Sequence, residues 1–228
     1  MFPLRLTVPP ARAAMLRLVM GAGVLLAVAS LFGAIAEDVI NHDAPLDTLD
    51  LSVAAWLHVH ATPLVTSLML AASNLGAPIT VFALTAMATA LLAWKGERYC
   101  VLLLLLAVAG GALMNVLIKA AVHRGRPVFD DPILTLATYS FPSGHAVGAT
   151  VFYGALAVIA TALARERRLR LAAIAVALLL IAMICFSRIY LGVHYLSDVV
   201  AGFLEGIVWL GTCVFAVDAL RKRSLRAG

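Results

Sequence analysis

Residues between 119 and 198 combine cationic, nucleophilic and acid–base side chains at spacings that suit work on an anion. Lys119 and Arg126 lie seven residues apart, about two helical turns, so a helical continuation puts them on one face; Pro127 then ends regular structure. Next comes Phe141-Pro142-Ser143-Gly144-His145, directly before an apolar run. Ser143 suits a helix N-cap, Gly144 lets a backbone approach closely, and the unpaired first-turn N–H groups of such a helix favour anions. The third stretch is Ser187-Arg188, followed by His194 and Asp198. A carboxylate four residues after an imidazole can hold one ring nitrogen and leave the other free, as a base or covalent nucleophile requires. A satisfied interfacial histidine capping the next helix fits the same spacing. Gly192 allows a bend between Arg188 and His194, which a straight helix would turn to different faces.

The elements that must carry these residues are membrane helices. Of 228 residues, 63% are hydrophobic and 13% charged, against about 45–50% and 25% in soluble domains. That balance excludes a soluble globular domain, a disordered chain, collagen and a disulfide scaffold. A span needs roughly 20 apolar residues. Such runs occur at about 14–36, 78–94, 100–122, 146–164, 171–193 and 198–220. The expected fold is therefore all-α, a polytopic bundle of about six transmembrane helices forming a single domain over 1–228. The first run is long for a signal peptide and leads into an acidic loop, so it reads as a retained anchor. Segment 64–77, stopped by Gly76 and Pro78, is short for a span and reads as an interfacial or re-entrant helix. If it spanned, the count would become seven.

Lys and Arg counts orient the bundle. Thirteen of the 17 cations fall at alternate span ends: Arg5, Arg12 and Arg17; Lys95 and Arg98; Arg165, Arg167, Arg168 and Arg170; Arg221, Lys222, Arg223 and Arg226. Stretch 37–77 holds Glu37, Asp38, Asp43, Asp47 and Asp50 and no Lys or Arg. The positive-inside rule then makes both termini cytoplasmic. The net charge of +5 is a topology signal, and nucleic acid is not an expected partner. The four remaining cations, Lys119, Arg124, Arg126 and Arg188, gather at the outer ends with His123, His145 and His194. Cations there run against the bias and ask for a function beyond headgroup snorkelling.

Other polar residues admit more than one reading. His123 and Arg124 could extend the anion field, contact a second phosphate, or snorkel at the rim. Phe129, Tyr139 and Phe141 could rim an entrance for lipid tails or form an aromatic belt. Glu205 lies about 10 Å deeper than Asp198 by helical rise; it is either functional or paired with Arg17 or Asn115. Gly202-x3-Gly206 suits close helix packing. His58-x-His60 is an isolated pair, for which interfacial decoration is favoured over metal binding. Cys100, Cys185 and Cys213 suggest neither a zinc site nor a disulfide.

Taken together, Lys119-x6-Arg126-Pro127, Pro142-Ser143-Gly144-His145 and Ser187-Arg188-x5-His194-x3-Asp198 resemble the three-part signature of the type 2 phosphatidic acid phosphatase family, whose site is shared by vanadium haloperoxidases and glucose-6-phosphatase. All three parts match in residue, spacing and order. The resemblance implies that His194 is the nucleophile that becomes a phosphohistidine, that Asp198 orients it, and that His145 is the general acid and then base. It implies that Lys119, Arg126, Ser143, Gly144 and Arg188 hold the phosphoryl oxygens, with no metal and no cofactor. Phosphoryl transfer depends mainly on positioning and electrostatics, so three cations near a dianion can replace a metal clamp. The expected function is a membrane lipid phosphatase acting at the outer face of a cytoplasmic (inner) membrane. Its partners are the bilayer and a lipid phosphate or diphosphate of the phosphatidic acid, phosphatidylglycerophosphate or undecaprenyl diphosphate class. A phosphotransferase using the same phosphohistidine and a non-catalytic transporter of anionic lipid are the alternatives; oligomeric state is open.

Overall fold

The computed structural model describes residues 11–227, so the sequence reading of Arg5 lies outside the described residues, as do the side chains of Arg12 and Arg17. Eight helices follow one another: α1 Ala11–Asn41, α2 Ala44–Val59, α3 Pro63–Leu75, α4 Pro78–Trp94, α5 Arg98–Val122, α6 Gly144–Leu163, α7 Arg167–Tyr190 and α8 Leu196–Ala227. Strands are absent among the described residues. Helices α1, α5, α6, α7 and α8 are each long and apolar enough to cross a membrane. The protein is a multi-pass membrane protein.

Segment 64–77 becomes α3, and its relation to α4 is closer than the sequence suggests. Helix α4 has 17 residues, about 26 Å at helical rise, which is short of a 30 Å hydrocarbon layer. Its axis meets that of α3 at 47° across a break at Gly76 and Ala77, and the two together bring the number of candidate spans to six. Gly76 is the point of closest approach. A Cβ there would lie 2.5 Å from an Ile184 methyl and 3.5 Å from the His145 ring. With the bent pair crossing once, Lys95 and Arg98, Arg165 to Arg170, and Arg221 to Arg226 share one end of the bundle.

Helix α2 was not visible as an element in the sequence. Pro at its start fixes a helical φ, and Asp47 in its first turn complements the helix dipole. It buries Asp50, Ala54 and Leu57 and exposes Leu51, Trp56 and Val59. It lies at the end of the bundle that receives the α5–α6 and α7–α8 loops.

Helix α6 is the hub. It packs against α5, α7 and α8 and buries Val147, Val151, Phe152 and Ile159 in the main apolar core. Small residues set the spacing of the long helices. Gly202 and Gly206 bring α8 against α6: Cβ atoms on them would meet the Ser143 carbonyl oxygen at 2.6 Å and the Thr150 Cβ at 2.6 Å. Gly110 on α5 accepts the Trp209 ring of α8, and the indole N–H donates to the Leu106 carbonyl at 3.0 Å. A Gly110 Cβ would lie 2.2 Å from the ring. Gly110→Ala should therefore cost about 1–3 kcal/mol through overpacking, despite the better helix propensity of alanine. The check is thermal unfolding in detergent, with a lowered Tm expected.

Candidate active site

The end of α5 turns by a residue that rarely does so. His123 adopts φ 56°, in the left-handed region, and its N–H reaches the Lys119 carbonyl at 3.2 Å. The helix stops there, so Lys119 and Arg126 do not share a helical face as the spacing suggested. They meet through loop 123–143, which folds back on itself: the Ser140 N–H donates to the Arg124 carbonyl at 2.9 Å and its hydroxyl to the Gly125 carbonyl at 2.7 Å. Lys119 Nζ donates to the carbonyls of Tyr139 at 2.8 Å and Ser140 at 3.1 Å. Arg126 donates to the carbonyls of Thr138, Tyr139 and Val193. The two cations thus converge on one stretch of backbone.

Ser143 occupies the N-cap of α6, but its hydroxyl makes no cap bond. The residue is fully buried, its N–H donates to the Asp198 carbonyl at 2.9 Å, and its Oγ has no partner. Gly144 sits where a Cβ would meet Asn115 Oδ1 at 3.1 Å. The Asn115 amide donates to the Pro142 carbonyl at 3.2 Å and to Glu205 Oε2 at 3.4 Å, so Asn115 is the partner of Glu205. His145, in the first turn of α6, lies half-buried in the field of Arg188, His194, Arg126 and Lys119.

Helix α7 ends just after Arg188, and Gly192 at φ +68° makes the expected bend. Arg188 is 1% exposed. One of its terminal nitrogens donates to the Ser73 hydroxyl of α3, while its Nε is buried without a partner. A cation so placed invites an anion.

His194 is 2% exposed and precedes α8. Its Nδ1 faces Asp198 Oδ2 at 3.4 Å, and its Nε2 faces an Arg126 guanidinium nitrogen at 3.2 Å. A carboxylate accepts and a guanidinium donates. The partners therefore fix the tautomer: the proton sits on Nδ1 and the lone pair on Nε2. Burial pushes the imidazole pKa down to about 4; Asp198 opposes this shift, and Arg126 and Arg188 add to it. His194 is thus neutral at pH 7, with its Nε2 lone pair turned toward the Arg126 guanidinium. Asp198 is fully buried and also accepts the Tyr195 N–H at 3.0 Å.

Two of the rim expectations are corrected. Arg124 is not at a rim: it is turned inward, with 9% of its side chain exposed, and binds Asp198 Oδ1 at 2.8 Å and Asp50 Oδ2 at 2.9 Å. Burial works against its charge, but Asp198 and Asp50 outweigh it and raise the Arg124 pKa. Phe141 is fully buried and packs with Val39, Ala201 and Phe32. An aromatic ring in a core cannot line an entrance. His123 and Tyr139 form an exposed edge-to-face pair at 4.5 Å. Phe129 stacks on His58 at 4.1 Å and lines a cavity of about 270 Å³ with Arg126, Leu134, Gly192 and Val193. His58 and His60 part company: His58 pairs with Asp131 at 2.9 Å, while His60 bonds the Trp56 carbonyl at 2.8 Å. Among the described residues no three His, Cys, Asp or Glu are grouped to hold a metal ion. Sequence reasoning missed Asp50 and Ser73. The available signal is the acidic stretch 37–50, which the charge pattern puts on the same side as four cations that topology leaves unexplained.

The PAP2 superfamily profile matches residues 99–222, which contain all three segments. The chain belongs to the PAP2 superfamily. It is similar to phosphatidylglycerophosphatase B of Bacillus subtilis (strain 168), 31% identical over 119 residues, covering 50% of this chain and 54% of that protein. The match thus spans about half the length of this curated relative. A crystal structure of a transmembrane PAP2 type phosphatidylglycerolphosphate phosphatase from Bacillus subtilis superimposes with a TM-score of 0.75 at 25% identity, covering 87% of this chain and 96% of that one. Aquifex aeolicus LpxE shares the fold at a TM-score of 0.58 and 24% identity, over 73% and 94% of the two chains.

In this PAP2 chain the His194 ionisation can be read directly. By 15N NMR of the histidine-labelled protein in detergent, the His194 ring should remain neutral and protonated on Nδ1 down to about pH 4. In the unfolded chain its pKa returns to about 6.5. The unfolded state then binds the extra proton first, so the His194 contribution to stability is complete above about pH 6.5 and is lost as pH falls toward 4. A folded-state titration near 6.5 would contradict the burial described.

Proposed function

We propose that this protein is an integral-membrane lipid phosphatase that works through a phosphohistidine on His194. The observation that carries the proposal is a pair of orphaned polar atoms. Arg188 Nε and Ser143 Oγ are buried without a partner, and both belong to residues that the family signature assigns to phosphate. Buried polar groups are almost always satisfied, and a phosphoryl oxygen would satisfy both. A neutral histidine with its lone pair on Nε2 completes the requirement.

The reaction follows in two displacements. The Nε2 lone pair attacks phosphorus while the bond to the leaving oxygen breaks, and the electron pair leaves with that oxygen. His145 donates the proton that the leaving oxygen takes up. The phosphorylated imidazole is cationic, and Asp198 beside Nδ1 stabilises it. Water then attacks phosphorus, His145 accepts its proton, and the P–N electrons return to Nε2. Lys119, Arg126 and Arg188, with Ser143 and the Gly144 N–H, take the charge on the equatorial oxygens. Three cations supply the electrostatic role that a divalent ion fills in other phosphatases.

The single domain spans 1–228 in a cytoplasmic (inner) membrane. Both termini are cytoplasmic and the site lies at the outer face, because the basic clusters share the opposite end. The substrate is a lipid phosphate or diphosphate. Phosphatidylglycerophosphate is the first to test, given the activity for which the curated relative is named. Phosphatidic acid and undecaprenyl diphosphate complete the panel.

Phosphate release in detergent should proceed with chelator present and be inhibited by vanadate. His194→Ala should lower kcat by about 10³-fold or more. Retained turnover in that variant would reject the nucleophile, and a strict requirement for an added divalent ion would reject the metal-free mechanism. Labelled phosphate appearing on an added alcohol rather than in solution would identify a phosphotransferase. Headgroup binding without turnover across the panel would identify a transporter.

A further inference from the structure

We propose that Asp50 and Arg124 are positioning residues that hold Asp198 in place behind His194 and balance its charge. The proposal rests on the phosphatase reading and adds to it two residues outside the three signature segments' named positions. Asp50 comes from α2, and Arg124 from the turn after α5.

The contacts form a continuous row. Asp198 Oδ2 faces His194 Nδ1, and Asp198 Oδ1 accepts from Arg124 at 2.8 Å. The other Arg124 terminal nitrogen donates to Asp50 Oδ2 at 2.9 Å, and Asp47 lies at the wetter edge, 3.5 Å away. Ser197 closes the row from α8: its N–H donates to Asp50 Oδ1 at 2.9 Å, and its hydroxyl contacts both Asp50 Oδ2 and Arg124. The Tyr195 ring lies under the guanidinium at 4.4 Å. Asp50 is 1% exposed and Asp198 is fully buried, so neither of these two carboxylates is held by bulk water.

Charge alternation gives the row its meaning. Arg124 alone on Asp198 would form a closed ion pair and draw the carboxylate away from the imidazole. Asp50 neutralises the outer side of Arg124, which leaves Asp198 free to face Nδ1. While His194 is neutral the row reads negative, positive, negative. Once His194 carries a phosphoryl group the ring becomes positive, and Asp198 then lies between two positive neighbours, His194 and Arg124. The benefit of Asp50 therefore falls on the phosphorylated state and the approach to it, more than on substrate binding. Phosphate-binding residues touch neither Asp50 nor Asp47 in the contacts described.

The test is Asp50→Asn, which keeps the shape and an acceptor for the Ser197 N–H. It should lower kcat by about tenfold or more, with KM and vanadate inhibition within about threefold. Adding Arg124→Gln removes the uncompensated cation and should restore part of kcat without reaching the wild-type value. A merely structural role predicts the opposite pattern, with losses that accumulate in the double variant. Unchanged kcat in a folded Asp50→Asn protein, or a loss shared equally by KM and vanadate affinity, would overturn the proposal. If the single variant does not fold, the double variant decides: wild-type kcat overturns the proposal, and reduced kcat with intact vanadate inhibition supports it. The 15N spectrum of His194 provides a readout that needs no turnover. The tautomer should be purely Nδ1-protonated in wild type and mixed in Asp50→Asn, and an unchanged tautomer overturns the clamp. Failure of wild type to release phosphate would count against the phosphatase reading, while the tautomer still judges the clamp.

Discussion

A charge taken out of water must find an opposite charge or give up its ionisation, and this rule organises the end of the bundle that holds the α5–α6 and α7–α8 loops. Asp198 and Asp50 are buried, and Arg124 is nearly so. The two carboxylates survive because distant parts of the chain bring Arg124 within reach of both, and Arg124 survives because it meets both. The α7–α8 bend, the α5 turn and α2 all end at this cluster. Arg188 stands apart from it: its donors meet a serine hydroxyl and no carboxylate, so its charge stays available. The cations at this end thus differ in kind: Arg124 is fully paired with carboxylates, and Arg188 is incompletely partnered. The bilayer imposes the rest, since polar groups without partners are confined to the helix ends.

Much of this was legible in the sequence, for physical reasons that can be named. The apolar runs 78–94, 100–122, 146–164 and 171–193 coincide with α4 to α7 to within about one helical turn, and 14–36 and 198–220 fall inside the longer α1 and α8, because a helix satisfies its own backbone groups in lipid. The candidate site residues stand out in the sequence because their types are costly at a membrane edge and recur at fixed spacings. Gly192 was readable as a bend because a positive φ there suits glycine.

What escaped depended on contacts between distant residues. Asp50 lies 74 residues from Arg124 and 147 from Ser197, and nothing local separates it from the neighbouring surface acids. Helix α2 was too short and too acidic to register as a span, and its buried face is defined only by what it packs on. Lys119 and Arg126 were expected to meet along a helix and meet instead across a loop, since His123 takes a conformation that its residue type does not announce. Phe141 reads as an entrance residue from its position beside the motif; its burial comes from α1, more than 100 residues earlier in the chain, and from Ala201 of α8.

The carbonyls that Lys119 and Arg126 hold also bear on turnover. Thr138, Tyr139, Ser140 and Val193 present oxygen atoms to the same donors that the proposed phosphate site would use. Those oxygens are placeholders. In the proposed site a phosphoryl group would exchange one set of acceptors for another at Lys119 and Arg126, and would meet an unsatisfied donor only at Arg188. The arriving group gains less than the count of positive charges suggests, and the departing inorganic phosphate leaves behind donors that the backbone is ready to reclaim. Were phosphate to leave the proposed site, the 138–140 backbone would offer two of its three cations acceptors to return to.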